Sequence, residues 1–123
     1  MMREPVIRVT AMPSDTNAYG DIFGGWLVSI MDNGAGLIAA RRSRGRAVTV
    51  AIDSMKFHLP VKVGDEVSVY GELVRVGRTS MTIAIEAWRR HRHEAEKVKV
   101  TQAVFTFVAV GEYGTPRVID QEI

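Results

Sequence analysis

Cysteine is absent from all 123 residues. That excludes disulfides, thiolate nucleophiles and cysteine metal sites, and it fits a reducing cytosol. The opening stretch, MMREPVIRV, lacks the apolar run of a secretory leader, so a cytoplasmic location is expected. No internal repeat, low-complexity tract or linker interrupts the chain, and its length suits a single domain spanning residues 1–123. There is no glycine loop of the Walker or dinucleotide-binding type and no Gly-x-Ser-x-Gly elbow, which leaves serine-hydrolase chemistry without support. Ser29 and Ser54 therefore read as structural. His91 and His93 stand two apart in a charged stretch without supporting ligands, so no metal site is expected.

Net charge is only +2, but the cations are bunched. Arg41, Arg42, Arg44 and Arg46 form one group, and Arg89, Arg90, His91, Arg92 and His93 form another. Nucleic acid would be the sharp reading, yet no RNA- or DNA-reading motif accompanies them, and no nucleic-acid partner is expected. A solvated loop and a hairpin tip account for most of the bunching. An intermediate reading lets some of these cations meet the phosphates of a soluble anionic ligand.

What the chain does have is one long apolar stretch. Ile22 to Ala40 carries a single charge, Asp32. The stretch is too long for a strand, and it ends at the first basic group with Gly45 beyond, so a helix over about Phe23 to Ala40 is predicted. A membrane span is disfavoured by Asp32 at its centre, which costs about 2.5–3.5 kcal/mol on insertion scales, and by Gly24, Gly25, Gly34 and Gly36. Short turns precede it, at Met12-Pro13-Ser14-Asp15 and around Asn17 and Gly20, after a first strand at Val6 to Thr10.

Past Gly45 the period changes to two. Ala47 to Phe57 alternates, with Val48, Val50 and Ile52 on one face and Thr49, Ala51, Met55 and Phe57 on the other. Pro60 stops that strand and Gly64-Asp65 turns the chain. Further strands follow from Val67 to about Val76, from Met81, and from Val98 to Val110, the last with Val98, Val100, Val104, Val108 and Val110 sharing a face. Glu112 to Pro116 is a closing turn. Consecutive strands joined by short turns make an antiparallel sheet, and only the helix is available to cover it. An α+β architecture with the helix across the concave side of a curved sheet is expected.

At helical spacing Asp32 shares a face with Gly25, Val28, Ser29, Ala35, Gly36 and Ala39, a stripe of small residues around one carboxylate. Such a group must be paired, hydrated or at an interface. A structural bridge at a subunit contact would satisfy that requirement. So would catalysis, because Gly24 and Gly25 fall at the helix start. There, free N–H groups and the positive dipole end favour an oxyanion or a polarised carbonyl.

The stretch SDTNAYGDIFGGWLVSIMDNGAG resembles the signature of the short acyl-CoA thioesterases of the hotdog-fold family. The family's Asn-x-x-Gly-x-x-Phe-Gly-Gly element and helical Asp fall here on Asn17, Gly20, Phe23, Gly24, Gly25 and Asp32. The likeness continues through FHLPVKVGDEV, VGRTSM and AVFTFVAV. It implies the hotdog fold and hydrolysis of acyl-CoA to a free acid and CoA, with no cofactor beyond the CoA of the substrate. By the same likeness Asp32 is the general base, or a nucleophile on the acyl carbon. Asn17 orients water or substrate, and Gly25 with Gly24 polarises the thioester oxygen. Carboxylate chemistry suits the reaction, since attacking water must lose a proton and the CoA thiolate leaves without a strong acid.

Gly25 and Asp32 lie seven residues apart, about 10.5 Å along one helix. One thioester cannot touch both easily, so a homodimer with sites composed across a two-fold axis is expected, and family likeness extends this to a trimer of dimers. For CoA, the Arg78-Thr79-Ser80 turn offers a cation and two hydroxyls, although a plain hairpin turn explains it as well. Phe57, His58 and Lys62 are candidates for lining the same groove. Two other readings use the same fold. A dehydratase or hydratase would lean on a histidine, and all three lie outside the helical signature. A non-catalytic acyl-CoA sensor would have no need of Asp32 and Asn17.

Overall fold

The structure, a computed structural model, describes residues 3–121. Met1 and Met2, part of the stretch considered for a leader, lie outside the described residues. Strand β1 (Ile7–Thr10) leads through a single 3-10 turn (Pro13–Asp15) to helix α1 (Gly24–Ser43), and β2 (Ala47–Phe57), β3 (Glu66–Val76), β4 (Ser80–Arg90) and β5 (Lys97–Ala109) follow. All five strands form one antiparallel sheet in the order β1-β3-β4-β5-β2, and α1 packs against β2, β3, β4 and β5. Met31, Ala35 and Ala39 of the helix meet Val67, Val69, Met81, Ile83, Ile85 and Phe105 in the core, all without solvent exposure. Helix and sheet approach closely at Gly71, where a Cβ would run into Ile38 Cδ1 and Ile85 Cδ1. Among the described residues no helix is long and apolar enough to cross a membrane.

Three details differ from the sequence expectation. The helix runs on to Ser43 and stops at Arg44, which adopts the left-handed conformation at φ 56° and donates its N–H to Ala40 O. Arg41 and Arg42 in the last turn suit the negative dipole end, so the basic group prolongs the helix rather than ending it. Next, the turn at Gly64-Asp65 forms, with Gly64 at φ +92°, but it does not close a hairpin. Instead β2 pairs with β5 at the far edge, and residues 58–65 cross over to β3. The cause is the helix, which separates β1 from β2 and delivers β2 to the edge opposite β1.

Finally, bulges break the strand faces. Val48 stands opposite Val108 but Ile52 opposite the buried Phe105, because Val50 falls out of register between them. A second irregularity holds Ser54 at φ 55°. In β5 the valine row is likewise split. The register shifts at Val100, itself buried and unpaired between Lys99 and Thr101, and the buried row beyond it is Ala103, Phe105, Phe107 and Ala109, with Val104 and Val108 on the outer face. One inserted residue reverses every side chain beyond it.

Candidate active site

The turn before the helix is built on Asn17. Its Oδ1 accepts from Tyr19 N at 2.8 Å and Asp21 N at 3.2 Å, and Gly20 closes the loop at φ +83°. The carbonyl oxygen is thus spent on the loop, and Nδ2 remains as the group that can reach a ligand. Phe23 N donates to Asp15 O at 2.7 Å and fixes where the helix begins. No side chain caps that end, so the exposed Gly24 and Gly25 keep N–H groups without intrahelical partners.

Residues 57–62 are brought to this end. Ile22 N donates to Val61 O at 3.0 Å, and Lys62 Nζ pairs with Asp21 Oδ1 at 2.5 Å. A cavity of about 170 Å³ opens between the two segments, lined by Ile22, Gly24, Leu27, Phe57, Leu59 and Val61. Phe57 Cζ would touch a Cβ on Gly24 at 3.8 Å. His58 is exposed and is placed by its backbone, whose N–H donates to Val100 O at 2.9 Å.

The segment is braced from behind by a pair the sequence reading passed over. Asp65 is 2 % exposed; its Oδ2 accepts from Lys62 N at 2.9 Å and its Oδ1 lies 2.7 Å from His91 Nδ1. Arg89 Nε adds a bond to Pro60 O at 2.9 Å. The second cation group is therefore anchored to the 58–65 crossover, not merely solvated. Its pairing partners lie far away in sequence, which gave no signal.

Asp32 sits elsewhere. Half-buried on the sheet side of α1, it accepts a hydrogen bond from Thr49 Oγ1 at 2.5 Å. Thr49 is the residue the sequence reading missed, since nothing marks a hydroxyl on an alternating strand as a carboxylate partner. The Arg78-Thr79-Ser80 turn belongs to this same end. Ser80 stands opposite Val108, which stands opposite Val48. Gly77 N donates to Ser80 O at 2.8 Å, closing the turn with the Arg78 side chain exposed.

The protomer thus divides the candidate residues into two groups. Asn17, Gly24, Gly25, Phe57, His58 and Lys62 gather at the start of the helix, while Asp32, Thr49, Arg78, Thr79 and Ser80 gather near the start of β2. Phe57 is level with Thr101, itself opposite Ala87, whereas the turn is level with Ser80. Seven residues of β4 separate these levels, about 24 Å at 3.4 Å per residue. Among the described residues of one chain the expected CoA contacts stand at two separate levels and form no single groove.

A family model described as the thioesterase superfamily matches residues 19–96. The chain belongs to the thioesterase superfamily. An uncharacterized acyl-CoA thioester hydrolase of Zymomonas mobilis is 58 % identical over 113 residues, covering 92 % of this chain and 76 % of the relative. Among solved structures, the hexameric broad-specificity acyl-coenzyme A thioesterase HI0827 superposes at a TM-score of 0.91 with 47 % identity, covering 99 % of this chain and 84 % of the other. A hexameric hotdog-fold thioesterase of Campylobacter jejuni gives 0.91 at 37 % identity, covering 97 % and 92 %. This thioesterase accordingly has the hotdog fold, its helix lying against a five-stranded antiparallel sheet.

Away from these two groups, the outer face of the thioesterase's sheet carries a charged network. Burial pushes the Glu86 carboxyl up, but hydrogen bonds from Arg3 and Trp88 and the charges of Arg3 and Lys99 outweigh it and leave the group below its ordinary value. Tyr70 behaves alike. Burial raises it, while the Lys97 ammonium, bonded to its hydroxyl at 2.6 Å, and Arg8 bring it below the usual phenol range.

Proposed function

We propose that this chain hydrolyses acyl-CoA to a free carboxylic acid and CoA in the cytoplasm, at sites composed from two protomers. The observation that carries the reading is the helix itself. It presents two uncapped glycine N–H groups at its start and, seven residues beyond Gly25, a half-buried carboxylate held by Thr49.

Strand β2 lies at the sheet edge, with Val50 56 %, Ile52 41 % and Phe57 50 % exposed. Exposed apolar edges invite pairing with another chain. Antiparallel pairing of β2 with its copy sets the start of one strand beside the end of the other. Asp32, Thr49 and the Arg78 turn of one protomer then face Asn17, Gly25, Phe57, His58 and Lys62 of the second. The separation along the protomer becomes the reason for dimerisation, and the hexameric state of the two solved relatives is in keeping with it.

In such a site the Gly25 N–H, with that of Gly24, polarises the thioester oxygen and holds the oxyanion that forms there. Asp32 takes the proton from water as it attacks the acyl carbon, and the bond from Thr49 to Oδ1 turns Oδ2 toward that water. The tetrahedral intermediate collapses by expelling CoA thiolate. Direct attack by Asp32, giving a mixed anhydride that water then opens, uses the same groups. Arg78, Thr79 and Ser80 meet the phosphates of CoA, and Phe57, His58 and Lys62 line its path from the second protomer.

Thiol release from short to long acyl-CoAs, with wild type and Asp32→Asn side by side, tests the proposal. Turnover is expected across the panel, falling about 10²–10⁴-fold in the variant, as for loss of a general base. Unchanged turnover in Asp32→Asn would remove Asp32 from its role. No turnover in the wild type with CoA still bound would point to a sensor.

A further inference from the structure

The last described segment, residues 117–121, crosses the end of the molecule that carries Asp32, Thr49 and the Arg78 turn. Arg117 Nη1 donates to Ser43 O at 2.8 Å, its Nη2 to Arg46 O at 3.1 Å and its Nε to Val110 O at 3.3 Å. One guanidinium therefore fastens the helix end to the start of β2 and the end of β5. Arg42 Nη1 reaches back from the helix to Asp120 O at 2.8 Å.

Between these anchors the segment grips the turn. Ile119 is 1 % exposed, and its N–H donates to Arg78 O at 2.8 Å. Gln121 Nε2 donates to Gly77 O at 3.2 Å and to Ile119 O at 2.8 Å. From the other side, Ala109 N donates to Thr79 O at 2.8 Å. Carbonyls at a hairpin tip ordinarily face water; here three in succession are held by protein, while the Arg78 side chain is exposed.

We propose that residues 117–121 position the Arg78–Ser80 turn for the phosphate-bearing end of CoA, with Ile119 and Gln121 as the positioning residues. The inference rests on the placement of CoA at that turn made above. Its physical content is preorganisation. A turn already fixed in the free enzyme loses little freedom when the ligand arrives, so affinity for the part of the ligand it touches rises. Chemistry at the thioester, held by other residues, does not change.

The test compares acyl-CoA with the same acyl group on pantetheine, which lacks the nucleotide and its phosphates. Ile119→Ala and Gln121→Ala are each expected to raise KM for acyl-CoA about fivefold, the size of ordering one flexible element. Both should leave kcat within about twofold and KM for acyl-pantetheine unchanged. Arg78→Ala is measured alongside and should show the same discrimination. If Arg78→Ala discriminates and neither segment variant does, the positioning role is overturned. Equal KM increases for both substrates, or a fall in kcat alone, overturn it too, since those are the marks of general loosening. If Arg78→Ala itself fails to discriminate, the placement of CoA falls and takes this inference with it, while hydrolysis stands.

Discussion

Thr49→Val removes one hydroxyl and little else, because valine has nearly the shape of threonine. In the wild type that hydroxyl donates to Asp32 Oδ1 at 2.5 Å. A hydrogen bond to a charged group contributes about 1.5–3 kcal/mol. Asp32 is only half-buried, so water replaces part of the loss and the lower end applies. With tenfold in rate for each 1.36 kcal/mol, about 1.5 kcal/mol corresponds to roughly a tenfold fall in kcat if the bond serves to aim the carboxylate. Steady-state thiol release gives the number, with KM for acyl-CoA expected within about twofold of wild type. Thr49→Ser keeps the donor and loses only a methyl, and it should restore most of the rate. Wild-type kcat in Thr49→Val would refute the aiming role. So would Thr49→Ser falling as far as Thr49→Val, for then packing, not the hydroxyl, is what matters.

Other outcomes follow from the same structure. Val50→Lys places a charge on the exposed edge of β2. Sedimentation should show smaller species and thiol release should fall by about a hundredfold, the scale of misplaced catalytic groups; a fully active monomer would sink the composite site. Gly71→Ala forces Ile38 and Ile85 apart. Overpacking of this kind costs about 1–3 kcal/mol, a Tm drop of roughly 4 °C per kcal/mol for a chain of this size, measured by calorimetry. Glu86, held below its ordinary value of 4.5, contributes stability that is complete above that value and is lost as pH falls through the folded one. Glu86→Gln should therefore flatten the acid side of a stability–pH curve measured by urea unfolding, and an unchanged slope would contradict the assignment.

Much of the architecture was legible because its signals are short-range. The Ile22–Ala40 run announces a helix by length alone, and the candidate positions Gly24, Gly25 and Asp32 stand out on it through the resemblance to the thioesterase signature. Turns at Asn17, Gly64-Asp65 and Arg78–Ser80 formed where their residue chemistry put them. Strand faces were less legible. A period of two predicts them only until a bulge, and neither Val50 nor Ser54 betrays one, since each is an ordinary residue on an edge strand. Thr49 escaped notice for a different reason: its importance comes from a partner 17 residues away, reached through packing.

By itself, then, the sequence determined a helix with an open, glycine-lined start and a carboxylate on it, strands in number enough to wrap it, and a chemistry without cysteine. Those follow from local preference and period, which act over a few residues. The tertiary structure alone decided that β2 lies at an edge beside β5, that Asp32 meets Thr49, and that the candidate CoA contacts stand at opposite ends of the sheet. Such facts depend on register and on which edges remain free once the helix is covered, and these are settled only when distant segments pack together.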